Sequence, residues 1–177
     1  MKHYTVSEVT QLLIKAEIDY NSWMVKGVEH LVHDLNNGER QLVVNADNTL
    51  SLDGHVVKCR IYHAQKELIE TSLTTIKGEI VHRNYPCTGK ITIKEDPIKG
   101  MQREINEELG FKKSEYLLIP KGTTYEESLP GYYKGIPGKM VVHNFIVHLP
   151  EKLYKSEYIL TEQDRTFTFT WEPIGRY

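Results

Sequence analysis

The sequence predicts a single α/β domain with a helical N-terminal extension, and three features carry that expectation. Apolar residues recur at helical spacing over residues 5–35, and short β-rich runs fill residues 41–75 and much of the C-terminal half. Between them stands one segment, 96–110, whose two ends both carry helix signals. The extension is placed at residues 1–38 and the domain proper at 39–177, a chain length that suits one globular unit with a real core.

Thr5 and Glu8 have the spacing of a capping box, and Val9, Leu12, Leu13 and Ala16 continue at helical intervals. A second set, Met24, Val25, Val28, Leu31 and Val32, extends the same period, and "NNGER" at 36–40 ends it. From Gln41 the texture is β-like, with "DG" at 53–54 as a hairpin signal and a strand pair expected around Lys77-Gly78. In 96–110, Asp96 is placed as the N-cap, Pro97 as the first helical residue and Gly110 just past the end. Three more β-rich stretches follow: "EYLLIP", "KMVVHNFIVHL" and "TFTFTWEPI". The last alternates at Phe167, Phe169 and Trp171, which predicts one buried face. Residues 121–139, rich in glycine, proline and tyrosine without a period, read as a long loop of the kind that often carries function.

Composition is that of an ordinary globular protein, 40% hydrophobic and 26% charged with a net charge of −2. No basic block suggests a nucleic-acid partner, and no apolar run is long enough for a membrane span. The N-terminus lacks the apolar stretch of a secretory signal, and Cys59 and Cys87 are too few for a disulfide framework, so a reducing cytoplasm is the expected setting. His143 and His148 stand five apart in an expected strand, on opposite faces, and make no metal pair.

The segment "REINEELGF", residues 103–111, raises the chemical question. On a helix Glu104, Glu107 and Glu108 share one face at i, i+3 and i+4. Such like-charge pairs cost a few tenths of a kcal/mol each, about 0.2–0.5, and Arg103 offsets only part of that. A divalent cation would neutralise the cluster, and carboxylate oxygens suit Mg²⁺, with Mn²⁺ as the alternative. A solvated acidic helix face is the ordinary explanation for such a cluster taken alone. Upstream spacing changes that reading. Gly89, five residues, Glu95, seven residues, then Arg103-Glu104-Ile105-Asn106-Glu107-Glu108-Leu109-Gly110-Phe111 resembles the Nudix box, with every defined position filled. A chance match is on the order of one in 10⁹ per starting point.

The resemblance implies an α/β/α sandwich with a mixed sheet, the box forming a loop–helix–loop. It implies that Glu104, Glu107 and Glu108 are metal ligands, joined by the carbonyl of Thr88. Gly89 would shape the loop, Gly110 would end the helix, and Arg103 and Glu95 would orient the carboxylates and brace the loop. The activity implied is hydrolysis of a nucleoside diphosphate linked to another group. The base that takes the proton of water differs among Nudix members: Glu107 and Glu108 are candidates, and after them Glu126, Glu127 and Glu162. The family commonly carries Gly-Gly before the box, where this chain has Cys87-Thr88-Gly89. Cys87 invites comparison with isopentenyl diphosphate isomerases, but those depart from the hydrolase box that is whole here. A Nudix-fold nucleotide-binding or regulatory module without turnover is the competing reading.

The expected partner is a small nucleotide. Tyr132 and Tyr85, with Phe145 and Tyr133, are candidates for stacking on a base, and Lys134 and Lys139 for meeting phosphates. Each also has an ordinary packing or surface role to set against it. The N-terminal helices are expected either to cover the domain or to form a homodimer contact, and both readings stay open.

Overall fold

A computed structural model describes residues 3–23, 27–127, 133–162 and 165–175. The chain forms two compact units that interleave in sequence. One comprises residues 1–56, 90–95 and 123–142, the other 57–89, 96–122 and 143–177.

In the first unit the capping box forms as expected: the Thr5 hydroxyl accepts from the Glu8 N–H at 3.2 Å, and the Glu8 carboxylate accepts from the Thr5 N–H at 2.8 Å. It opens helix α1, Val6–Lys15, which buries Val9 and Leu13. The helix does not continue to residue 35. Glu17 takes a positive φ of 56°, and the Ile18 N–H closes back on the Leu13 carbonyl at 2.9 Å. That left-handed step reverses the chain, which restarts through a 3-10 turn at Tyr20–Ser22 and a second helix, α2, Val28–Asn36. Met24 and Val25 lie outside the described residues. Buried residues of both helices form a core with Trp23, Leu42, Leu50, Leu52, Tyr133 and Ile136. The Trp23 indole N–H donates to the Lys134 carbonyl at 2.8 Å, and its ring meets Tyr133 edge-on at 5.2 Å.

Strand β1, Arg40–Val44, pairs antiparallel with the start of strand β2, Leu50–His63, in register from Val44↔Leu50 to Arg40↔Gly54. Asp53-Gly54 is therefore not a turn but lies inside β2. Glycine there leaves room for Arg40: a Cβ would come within 2.7 Å of its guanidinium and 3.2 Å of the Glu39 carbonyl, so the arginine end would have to shift. Asp53 is used as an acceptor for the Lys139 N–H and the Ser51 hydroxyl. The reversal falls at Asn45–Thr49 instead, where Asn48 supplies a φ of 65° and the Asp47 carboxylate accepts from the Thr49 N–H.

The second unit is built on strand β3, Lys66–Thr75, which pairs antiparallel with the end of β2 and with strand β4, Ile80–Tyr85, and strand β9, Arg165–Pro173. Strand β8, Glu157–Glu162, completes the run on β9. The turn between β3 and β4 centres on Lys77-Gly78 as expected, with Gly78 at φ 80°. In β9, Phe169 and Trp171 are buried while Phe167 is half-buried. Strand β5, Cys87–Ile91, leads toward helix α3, Pro97–Leu109, which buries Met101, Ile105 and Leu109. Phe111 meets Tyr158 edge-on at 5.4 Å. Strand β7, Lys139–His148, matches its β-rich stretch. Strand β6 does not: it spans Ile119–Glu127, so the expected strand over "EYLLIP" starts late and the expected loop opens as strand. No helix among the described residues is long and apolar enough to cross a membrane. The fold is α/β.

Candidate functional site

Helix α3 has both sequence-marked ends. The Asp96 carboxylate accepts from the N–H groups of Ile98 and Lys99 at 2.9 and 3.0 Å, Pro97 follows, and Gly110 takes φ 75° past the last turn. Ile105 and Leu109 bury one side of the helix, which fixes the rotation that the glutamates share.

Gly89 explains its own place in the motif. Its φ is not in the left-handed region, so backbone freedom is not what requires glycine. A Cβ built there would sit 1.9 Å from the Glu104 carboxyl carbon and 2.2 Å from Oε2. The Glu104 carboxylate therefore lies against bare backbone, and any side chain at 89 would displace it. Thr88, the replaced glycine, keeps a negative φ and donates its hydroxyl to the Pro86 carbonyl at 2.8 Å.

The three glutamates are not equivalent. The Glu104 side chain is 12% exposed and Glu107 54%, and Arg103 Nη1 bridges them at 2.6 and 3.1 Å. Glu108 is half-buried, its Oε2 is buried without a hydrogen-bond partner among the described residues, and the Cys87 thiol lies close enough to act on its carboxyl group. Burial pushes the Glu108 carboxyl up to about 7; the Cys87 hydrogen bond opposes the rise, and the charges of Glu104, Glu70 and Glu162 add to it. Cys87, fully buried, is pushed well above its ordinary thiol range by burial and then by Glu108. It is an inert thiol rather than a nucleophile.

Two acids thus accompany the box. Glu162, at the end of β8, was among the sequence candidates; Glu70 was not. Glu70 is buried in β3 and pairs with Arg83 at 2.7 Å, and burial still raises its carboxyl above the ordinary range. No sequence signal singled it out: its alternate neighbours in the strand, Lys66, Leu68, Ser72 and Thr74, are mostly polar. Tyr85, the next candidate, is exposed on β4 with the Arg83 guanidinium 5.1 Å from its ring centre.

Of the remaining described candidates, Glu95, Glu126, Glu127, Tyr133, Lys134 and Lys139 belong to the first unit and Phe145 to the second. Glu95 accepts from the Thr92 N–H at 3.3 Å and so ties the loop before α3 onto itself. Lys134 and Lys139 are exposed, as are Glu126 and Glu127 at the end of β6. Tyr132 lies outside the described residues. Tyr133 is buried and spends its hydroxyl on Asp34 at 3.0 Å, which removes it from the stacking candidates. Phe145 is buried as well.

Do these residues suit a divalent cation? Among the described residues no group of three or more acids, histidines or cysteines is already set around one point. Arg103 draws the Glu104 and Glu107 oxygens to itself. The donor chemistry fits nonetheless: hard carboxylate oxygens on one helix face, one of them buried without a partner, and a glycine that leaves the Glu104 carboxylate its place.

No protein-family model matches the chain, and no curated protein does. Solved structures similar to it include a mutator MutT protein from Bacillus halodurans, 15% identical, with 67% of each chain covered and a TM-score of 0.45. An Ap4A hydrolase from C. elegans is 15% identical over 67% of this chain and 79% of its own, with a TM-score of 0.40. A Nudix hydrolase from Nitrosomonas europaea is 13% identical over 79% and 76%, with a TM-score of 0.41. In this chain the segment that resembles the Nudix box runs from Gly89 through a loop into α3 and out at Gly110, the loop–helix–loop order that the resemblance implies.

Proposed function

We propose that the chain is a divalent-metal-dependent hydrolase of a phosphoanhydride bond in a nucleoside diphosphate linked to another group, such as a nucleoside triphosphate, a nucleotide sugar or a dinucleotide. The observation that supports this reading best is the seating of the Glu104 carboxylate on Gly89, with the buried, unpartnered Oε2 of Glu108 on the same helix face. A structural helix needs neither the missing Cβ nor a carboxyl group buried at a cost. A site that gathers anionic oxygen for a cation accounts for both.

Glu104 and Glu108, with Glu107 and the Thr88 carbonyl, would hold Mg²⁺, and Mn²⁺ suits the same oxygens. A bound divalent cation supplies charge stabilisation for phosphate oxygens and a more acidic water. The chain's own contribution is placement. Gly89 sets the position of Glu104, the Cys87 thiol lies beside Glu108, and Arg103 orients Glu104 and Glu107. Glu95 braces the approach loop. Glu107 or Glu108 is proposed as the acceptor of the water proton, with Glu126, Glu127 and Glu162 as alternatives. Of the later acids, Glu162 is the one whose charge acts on Glu108. Lys134, Lys139, Tyr132 and Tyr85 remain proposed substrate contacts. The Arg83 guanidinium beside the exposed Tyr85 ring supports Tyr85 as the stacking residue.

A nucleotide-binding module without turnover has one observation in its favour: Arg103 already satisfies Glu104 and Glu107. A substrate panel with Mg²⁺ separates the two readings. The panel holds nucleoside and deoxynucleoside triphosphates, inosine triphosphate, ADP-ribose, dinucleoside polyphosphates and capped RNA. The hydrolase reading expects turnover of at least one, abolished by chelation. Binding without turnover across the panel supports the module.

A further inference from the structure

We propose that Arg83 is a positioning residue for nucleotide recognition: held by the buried Glu70, it fixes the exposed Tyr85 ring as the platform on which the substrate's base stacks. This role rests on the nucleotide-hydrolase reading and deepens it by naming how the base is gripped.

The sheet breaks its register at this point. Strand β3 shifts against both of its neighbours between Glu70 and Ser72. Against β4, Glu70 stands opposite Tyr85 and Ser72 opposite His82, so Arg83 and Asn84 together face Thr71. Against β9, Glu70 stands opposite Phe169 and Ser72 opposite Thr168, so Thr71 is the extra residue. Bulges of this kind re-aim side chains and are over-represented beside active sites. Here they accompany a close grouping of three side chains. The Glu70 carboxylate, 11% exposed, pairs with Arg83 Nη1 at 2.7 Å. The guanidinium carbon lies 5.1 Å from the centre of the Tyr85 ring.

The energetics favour a positional role. A buried ion pair adds little net stability, because desolvation offsets the attraction. What Glu70 supplies is a fixed anchor for a flat, rigid guanidinium, and the cation in turn restrains the ring beside it. Tyr85 stays 55% exposed, so the ring is braced without being covered. A ring held in advance loses less freedom when a ligand stacks on it, and every nucleobase offers a π-face to it. The placement also suits a nucleotide. Tyr85 precedes Gly89, the seat of Glu104, by four residues, or at most about 14 Å of chain. One extended nucleoside diphosphate covers that span. The charge of Glu70 acts on Glu108 as well, so the brace stands near the acids of α3.

The test compares AMP with ribose 5-phosphate on the full chain with Mg²⁺, read by calorimetry and by the ring resonances of Tyr85. The two probes share the phosphate, so their ratio reports the base alone. The parent should bind AMP about tenfold or more tighter. Tyr85→Ala and Arg83→Gln should each remove most of that preference. Arg83→Gln with Glu70→Gln leaves no unpaired buried charge, so it covers the case in which Arg83→Gln fails to fold, and it too should lose the preference. A purely structural ion pair would shift the thermal midpoint and leave the ratio intact. In turnover, Arg83→Gln should raise KM about tenfold with little change in kcat. Equal binding of the two probes by the parent would overturn the role of Arg83. So would an AMP preference that survives Tyr85→Ala or the double variant. Turnover with an unaltered KM in Arg83→Gln would overturn it while leaving the hydrolase reading intact. Absence of turnover in the parent overturns that reading instead, and the binding ratio then decides Arg83 by itself.

Discussion

Gly89 shows how one missing side chain fixes a charge. With Glu104 lying 1.9 Å from where a Cβ would stand, Gly89→Ala must push the carboxylate aside. Misplacement of a reacting group by an ångström costs roughly a hundredfold in rate. Gly89→Ala is therefore expected to lose turnover on that scale while its circular dichroism stays native. Glu108 gives a prediction of pH dependence. In metal-free protein its carboxyl titrates near 7, raised by burial from the 4.5 of an unburied glutamate. Between those values the unfolded chain has released a proton that the folded chain keeps, so stability falls as pH rises through the window. The loss is of order 2–3 kcal/mol. Denaturant titrations in chelator should show Glu108→Gln more stable than the parent at pH 8 and about equal to it at pH 4. An equal difference at both pH values would contradict the assignment. The box residues were legible in the sequence because their spacing is the signal. Glu70 was not, because a glutamate in a strand reads as solvent-facing until Arg83 and the buried face of β3 are seen around it.

At the scale of elements, legibility followed whether the signal was local. Both ends of α3, the capping box of α1 and the turn at Lys77-Gly78 rest on contacts three or four residues apart, and all three hold in the structure. Asp53-Gly54 misled because its glycine makes room for Arg40 across the strand pair, a contact no hairpin rule encodes. The helical period over 5–35 was real but does not show that Glu17 reverses the chain between two helices. Strand β6 escaped because its face is exposed and its sequence, KGTTYEE, has no apolar alternation. The caps make a direct prediction. Asp96→Ala removes two hydrogen bonds at the start of α3 and should cost about 1 kcal/mol. For a chain of this size that is roughly 2–4 °C in the thermal midpoint, measurable by calorimetry, and Asp96→Asn should recover most of it.

Across the whole molecule, each unit joins an apolar core to buried charge. In the second, the Trp171 indole N–H donates to the Lys155 carbonyl at 2.7 Å with its ring stacked on Tyr154, and Arg83 pairs with the buried Glu70. The first adds a polar centre in which Lys90 joins the buried Asp34 to Glu39, and Tyr133 donates to the same Asp34 oxygen. Lys90→Met would leave Asp34 with the Tyr133 hydroxyl alone, at a cost of about 2 kcal/mol or more. Lys90→Met with Asp34→Asn should recover part of the loss. Lys90 immediately follows Gly89, so one short segment serves a structural network in one unit and the acidic site in the other.

Metal binding by the carboxylates of α3 can be measured without knowing the substrate. Paramagnetic resonance follows free Mn²⁺ as it is titrated with the protein at pH 8. The account predicts that the parent chain depletes the free-ion signal, that Glu104→Gln and Glu108→Gln each lose most of that binding, and that Glu127→Gln keeps it. An undiminished free-ion signal with the parent, or equal depletion by Glu104→Gln and Glu108→Gln, would contradict it.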